Sequence, residues 1–161
     1  MKQTIYFSKW IFLILLVGLF SIRAYAQDDT QRKKHFNIAK SGFVIDGYDP
    51  VAYMTQKRAI KGDPSISVIY KGVKYAFTST ANRELFKSNP GKYEPAYGGW
   101  CAYAMGYSGE KVEVDPETFK IIDGKTYLFY NFYFNNTLKS WNKDEKNLHL
   151  KANQNWMIII P

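Results

Sequence analysis

Residues 119–130 read FKIIDGKTYLFY. Two runs of β-branched, aromatic and aliphatic residues, Phe119–Ile122 and Thr126–Tyr130, flank Asp123-Gly124. An Asp-Gly pair between such runs supplies the positive φ that a tight hairpin turn needs at both central positions. An antiparallel hairpin is therefore expected. Upstream, Ile66–Tyr70 and Val73–Phe77 enclose Lys71-Gly72 and predict another. Between the hairpins, Ser79 or Thr80 can cap a helix that carries Ala81, Leu85 and Phe86 and stops at Asn89-Pro90. Asp49-Pro50 has the N-cap and first-turn chemistry of a short helical turn from Pro50 to about Met54, and residues 55–64 read as a loop. Tyr93 and Tyr97 are expected in the core. From Phe132 onward the chain reads as one or two helices bearing Leu138, Trp141, Leu148, Leu150 and Trp156. Phe77, Leu85, Phe86, Trp141 and Trp156 are the side chains expected to supply most of the buried area. No internal repeat is evident along this path. The order of elements predicts a small single α+β domain, with antiparallel β-hairpins packed against short helices.

The first residues carry a different signal. Lys2 and Lys9 precede an apolar run from Trp10 to Phe20, and Ala24-Tyr25-Ala26 follows as a small-x-small pattern. This is the grammar of a secretory signal peptide over residues 1–26. The apolar run falls short of the roughly 20 residues a membrane-spanning helix needs, so an uncleaved anchor is the weaker reading. The expected localisation is exported, periplasmic or secreted, with no transmembrane segment after cleavage. Loss of Lys2, Lys9 and Arg23 lowers the formal net charge of +8 by three. The remaining bases are dispersed apart from Arg32-Lys33-Lys34, which argues against a nucleic-acid partner. Residues 27–41 are polar and lack apolar periodicity, so they read as a flexible leader to a domain spanning residues 42–161.

Catalytic grammar is sparse. The chain has one cysteine and two histidines, and it lacks H-E-x-x-H, C-x-x-C and phosphate-loop patterns. His35 is expected to be solvated in the leader, and His149 to pack on a helix or face solvent. Glu110, Glu113, Asp115 and Glu117 read as decoration of an exposed strand and turn. Asn135-Asn136-Thr137 matches a glycosylation sequon, a pattern that matters only in a eukaryotic secretory route.

That leaves Cys101, in YGGWCAYAMGYSG over residues 97–109. A single cysteine in an exported chain cannot close an intramolecular disulfide. If Trp100–Met105 forms a helix, Cys101 falls in its first turn, where backbone N–H groups favour a thiolate. Tyr97 and Met105 then lie four residues to either side, on the same face. A thiolate beside a thioether suits a soft cation such as Cu(I), which makes Cys101 and Met105 the candidate metal ligands. The competing reading is an inert thiol in a packed core, since free cysteine is among the most buried residue types.

Taken together, GYDPVAYM, YKGVKYAFTSTANRELFKSNPGKYEPAYGGWCAYA and DGKTYLFYN resemble the YHS domain family, over about residues 42–157. In metal-associated members the resemblance implies thiolates at the positions of Ala52, Thr78 and Asn82, all absent here. Exported members similar to this chain carry selenocysteine at the position of Cys101, which implies that a soft chalcogen is useful there. Two classes of function follow: a soft-metal or thiol-dependent binding module centred on Cys101, or a structural or interaction domain with an inert Cys101. A thiol-redox protein is a third, and it needs a resolving thiol from a partner or small molecule.

Overall fold

The computed structural model describes residues 29–160. The expected signal peptide lies outside them. Both hairpins form as antiparallel pairs: β1 (Asp63–Tyr70) with β2 (Val73–Phe77), and β3 (Asp115–Ile122) with β4 (Lys125–Phe129). Their turns use paired positive φ, 44° and 77° at Lys71-Gly72 and 48° and 71° at Asp123-Gly124. Each first strand begins earlier than its apolar run, at an Asp-Pro pair followed by a break in register. The Asp closes that break locally: Asp63 Oδ1 accepts from Ser65 N at 2.8 Å and Asp115 Oδ1 from Glu117 N at 3.0 Å. Helices pack around the hairpins: α1 (residues 29–35), α2 (Pro50–Gln56), α3 (Thr80–Ser88), α4 (Pro90–Tyr93), α5 (Ala102–Tyr107), α6 (Thr137–Trp141) and α7 (Glu145–Ile159). A third small pair, β5 (Asn131–Phe132) with β6 (Asn135–Asn136), separates β4 from α6.

The chain contains an internal repeat that its sequence conceals. Pro50 and Ala102 open α2 and α5, Asp63 and Asp115 open β1 and β3, and Val73 and Lys125 open β2 and β4, each pair 52 residues apart. The backbone agrees residue by residue. Ile45, Asp46 and Gly47 have φ of 48°, 51° and 77°, and their counterparts Tyr97, Gly98 and Gly99 have 53°, 61° and 89°. Hydrogen bonds follow the same offset: Asp49 N donates to Ile60 O at 2.9 Å, and Cys101 N to Val112 O at 3.0 Å. Few side chains are shared, chiefly Asp63/Asp115, Pro64/Pro116, Gly72/Gly124, Tyr75/Tyr127 and Phe77/Phe129. These are the residues that set the bulge, the turn and the inward face of the second strand. The domain is thus two copies of a turn–helix–hairpin unit, and the expectation of no repeat is corrected.

Asp49 ties the first unit together. It is fully buried and its carboxylate accepts five hydrogen bonds. Oδ1 caps α2 through Val51 N at 2.8 Å and Ala52 N at 3.3 Å. Oδ2 takes Thr78 N at 2.8 Å, the Thr78 hydroxyl at 2.7 Å and Asn82 Nδ2 at 2.7 Å. One side chain thereby fixes the start of α2, the end of β2 and the first turn of α3. Around it, Tyr53, Tyr75, Phe77 and Phe86 are buried, with Phe86 packed against the rings of Tyr75 and Phe77. Burial of each such side chain contributes about 1.5–3 kcal/mol. A second cluster gathers Met105 of α5, Tyr127 and Phe129 of β4 and Trp141 of α6 with Leu148 and Ala152 of α7.

Several expectations change. The leader is not free of structure: residues 29–35 are helical, Phe36 and Asn37 are buried, and Asn37 N donates to Gly98 O at 2.9 Å. Its signal was missed because Arg32 and Asn37 are polar yet are held by partners in the domain. Of the side chains expected to supply the core, Phe77, Phe86 and Trp141 are fully buried, Trp156 is only half-buried, and Leu85 is 42% exposed. The helices from Phe132 begin only at Thr137, because Asn131–Asn136 turns back as β5–β6. At its tip Tyr133 and Phe134 hold φ of 52° and 64°, a conformation no aromatic residue advertises in sequence.

Removal of the Asp49 carboxylate leaves several buried donors without an acceptor. Asp49→Ala is therefore expected to cost about 3 kcal/mol or more. Urea denaturation followed by circular dichroism checks this as a lower midpoint with an unchanged slope.

Candidate functional site

Cys101 stands 52 residues after Asp49 and does the corresponding structural work. It is the N-cap of α5, as Asp49 is of α2. Tyr130 N donates to Cys101 Sγ at 3.4 Å, as Thr78 N donates to Asp49 Oδ2, and both pairs are 29 residues apart. A side chain from the first turn of the following helix completes each cluster: Asn82 of α3 beside Asp49, and Thr137 of α6 with its Oγ1 3.5 Å from Cys101 Sγ. The difference is chemical. A carboxylate has two oxygens, so Asp49 caps its own helix with one and joins β2 and α3 with the other. Cys101 has one sulfur, makes no capping bond to α5, and spends it on Tyr130 and Thr137.

The direction of the hydrogen bonds follows from counting protons. The Thr137 hydroxyl donates to Tyr130 O at 2.9 Å. With its one proton committed there, the contact between Thr137 Oγ1 and Cys101 Sγ is served by the thiol proton, while the sulfur accepts from Tyr130 N. Cys101 is fully buried. It also forms part of the wall of a cleft of about 230 Å³ with Tyr103, Tyr107, Tyr130 and Glu110. Tyr103 and Tyr107 stack over that cleft with ring centres 5.5 Å apart.

The expected thiolate geometry is not what forms. The helix is Ala102–Tyr107 and not Trp100–Met105, so Cys101 precedes its first turn and its sulfur receives no N–H from it. Tyr97 lies in a separate left-handed turn with Gly98 and Gly99, before α5 begins. The two proposed ligands pack apart: Cys101 belongs to the cluster containing Leu128 and Val112, whereas Met105 is buried with Ala102, Trp141 and Leu148. Met105 does not line the cleft that Cys101 borders. The two residues do stand one helical turn apart, with Met105 N donating to Cys101 O at 3.0 Å, but their side chains belong to different packing clusters. Ala52, Thr78 and Asn82 offer no metal site: the Ala52 side chain has no ligand atom, and those of Thr78 and Asn82 are committed to Asp49. Among the described residues, no three His, Cys, Asp or Glu side chains group so as to hold a metal ion.

The histidines divide. His149 packs on α7 as expected, its Nε2 2.8 Å from the Tyr127 hydroxyl and its ring against Trp141. His35 is less solvated than expected: its Nδ1 is buried without a partner, and burial, then Lys111 and Lys34, push its pKa below the usual value. Asp115 is structural, accepting from Thr118 Oγ1 at 2.8 Å and Asn131 Nδ2 at 3.3 Å, while Glu110, Glu113 and Glu117 are exposed as expected. Asn135 of the sequon is exposed on β6, and its Thr137 is buried beside Cys101. The site residues that sequence reasoning missed are Tyr130 and Thr137. The 52-residue register, which pairs Cys101 with Asp49, reaches Tyr130 through Thr78, but it does not reach Thr137, which follows the inserted β5–β6 pair.

No family model, curated protein or solved structure matches the chain. The geometry alone makes a graded prediction at Cys101. Cys101→Ala leaves the Tyr130 N–H unpaired in the core and is expected to cost about 1–3 kcal/mol. Cys101→Ser restores an acceptor and is expected to cost less. Equal losses in denaturant midpoints, or a larger loss for Ser, would remove the hydrogen-bonding role.

Proposed function

We propose that the chain is an exported, YHS-like, non-catalytic interaction domain in which Cys101 is a structural thiol. The observation that carries this reading is the correspondence of Cys101 with Asp49, a side chain whose role is to collect buried donors from three elements. The YHS component draws support from a different fact. The positions of Ala52, Thr78 and Asn82, where the resemblance implies thiolates, converge on the Asp49 carboxylate. In this chain a hydrogen-bonded carboxylate takes the organising place that a metal ion holds in such members. Export rests on residues 1–26; among the described residues, no helix is long and apolar enough to cross a membrane.

A thiol-dependent binding module is the second reading, favoured by the one observation that Cys101 borders the cleft beneath Tyr103 and Tyr107. Alkylation separates the two. A structural thiol reacts only through opening of the fold, so the native rate with iodoacetamide is expected to be at least ~100-fold below that of free cysteine, an opening cost of about 2.7 kcal/mol. Native protein is also expected to bind no stoichiometric Cu(I). Fast alkylation that Cu(I) blocks would overturn the structural reading in favour of the second. Mass spectrometry of the envelope or secreted fraction is expected to find a chain beginning near Gln27, and a retained Met1 would contradict export by cleavage.

A further inference from the structure

α1, the turn before α5, β4 and α7 line an open cleft of about 270 Å³ that shares no lining residue with the cleft beside Cys101. Four aromatic side chains form part of its wall. Phe36 meets Trp156 edge-on at 6.0 Å, Trp156 meets Tyr97 at 6.3 Å, and Tyr97 meets Tyr127 at 5.7 Å. Gly98 lets them close in: a Cβ there would lie 2.9 Å from Trp156 and 3.0 Å from Phe36. Three charges line the space, and two of them cancel. Arg32 pairs with Glu94, whose same oxygen also accepts from the Tyr75 hydroxyl, while Arg32 Nε donates to Lys71 O at 3.1 Å and the guanidinium covers Phe36. Lys125 is the charge left over. Its Nζ donates to Gly91 O at 2.7 Å, and the Glu94 carboxylate whose field reaches it is already held by Arg32 and Tyr75. Burial, opposed by Glu94 and aided by Arg32, pushes the Lys125 pKa down, the condition of an ammonium that lacks a full counter-charge.

We propose that this cleft binds a small aromatic carboxylate, its anionic group paired with Lys125 and its ring held among Phe36, Tyr97, Tyr127 and Trp156. Size sets the class: the cleft exceeds the roughly 150 Å³ that holds one benzene ring and lies just below the ~300 Å³ at which pockets for larger organic ligands begin. One ring with one charged group fits, and a dinucleotide or other polyanion does not. Charge sets the sign, because one uncompensated cation in a half-buried site favours a single anion and disfavours an amine. A polar group in the lining can add orientation: burial raises the Tyr97 pKa, its hydroxyl donates to Asn153 Oδ1 at 2.9 Å, and the Asn153 Nδ2 remains a donor. This site does not depend on the role of Cys101.

Isothermal titration with three compounds of one shape tests the proposal. Benzoate is expected to bind with a Kd of about 1 mM, benzyl alcohol at least ~10-fold more weakly, and benzylamine not measurably. Lys125→Gln is expected to bring benzoate down to the level of benzyl alcohol. Asn153→Phe, at an exposed position on α7, is expected to close the mouth and abolish binding of both, so the proposal remains open to refutation if Lys125→Gln fails to fold. Cys101→Ser is expected to bind benzoate as the parent does, which separates failure here from failure of the structural-thiol reading. Equal affinity for benzoate and benzyl alcohol, undiminished binding by Lys125→Gln, or no binding of benzoate at ~10 mM would overturn it.

Discussion

A buried carboxylate organises this fold. Asp49 is removed from water, and five donors from α2, the end of β2 and α3 replace its hydration. Burial of such a group without partners is prohibitive, and with them it becomes a constraint: the donors must be delivered to one point, or the carboxylate cannot be accommodated. Helix entry, strand exit and the next helix are therefore fixed together. The aromatic cluster of Tyr75, Phe77 and Phe86 supplies the apolar stabilisation, and the carboxylate determines which arrangement of elements receives it.

The second unit meets the same requirement with a thiol. At Cys101 the chain must satisfy the Tyr130 N–H in the core, but α6 brings a hydroxyl where α3 brings an amide. Fewer donors arrive, and a weak acceptor with little desolvation cost suffices. A carboxylate at that point would have too few partners. The sulfur is explained by what it touches, and the neighbouring aromatic and thioether side chains are explained by the second core cluster. The two units differ most where the chain after the hairpin differs. In the first, Ser79 caps α3 directly; in the second, β5–β6 intervenes before Asn136 caps α6. The cleft near Lys125 lies on the second unit's hairpin and is completed by α1, so it has no counterpart in the first.

Local structure was largely legible in the sequence. Lys71-Gly72 and Asp123-Gly124 announce their turns, Asp49-Pro50 and Ser79 announce their helices, and the α+β class follows from their order. Ala52, Thr78 and Asn82 meet at Asp49 in the structure, and in the sequence Asp49 was visible only as an N-cap. The repeat was not legible, because the residues that differ between units include the hubs themselves, Asp49 and Cys101. Conservation of backbone φ at Ile45–Gly47 and Tyr97–Gly99 requires no shared side chains. Long-range partners were also hidden: nothing near Cys101 in sequence indicates Tyr130 or Thr137, and nothing in the polar run from Arg32 indicates that it closes onto Glu94 and Gly98.

The correspondence of the two hubs is the claim on which the structural reading of Cys101 rests, and native-state amide hydrogen exchange addresses it most directly. The Thr78 and Tyr130 amides donate to the Asp49 carboxylate and the Cys101 sulfur, so both are expected to exchange only through global unfolding, with the same free energy and the same response to urea. A Tyr130 amide that exchanges through a low-energy local opening, while that of Thr78 stays protected, would contradict the account and leave Cys101 without a structural role.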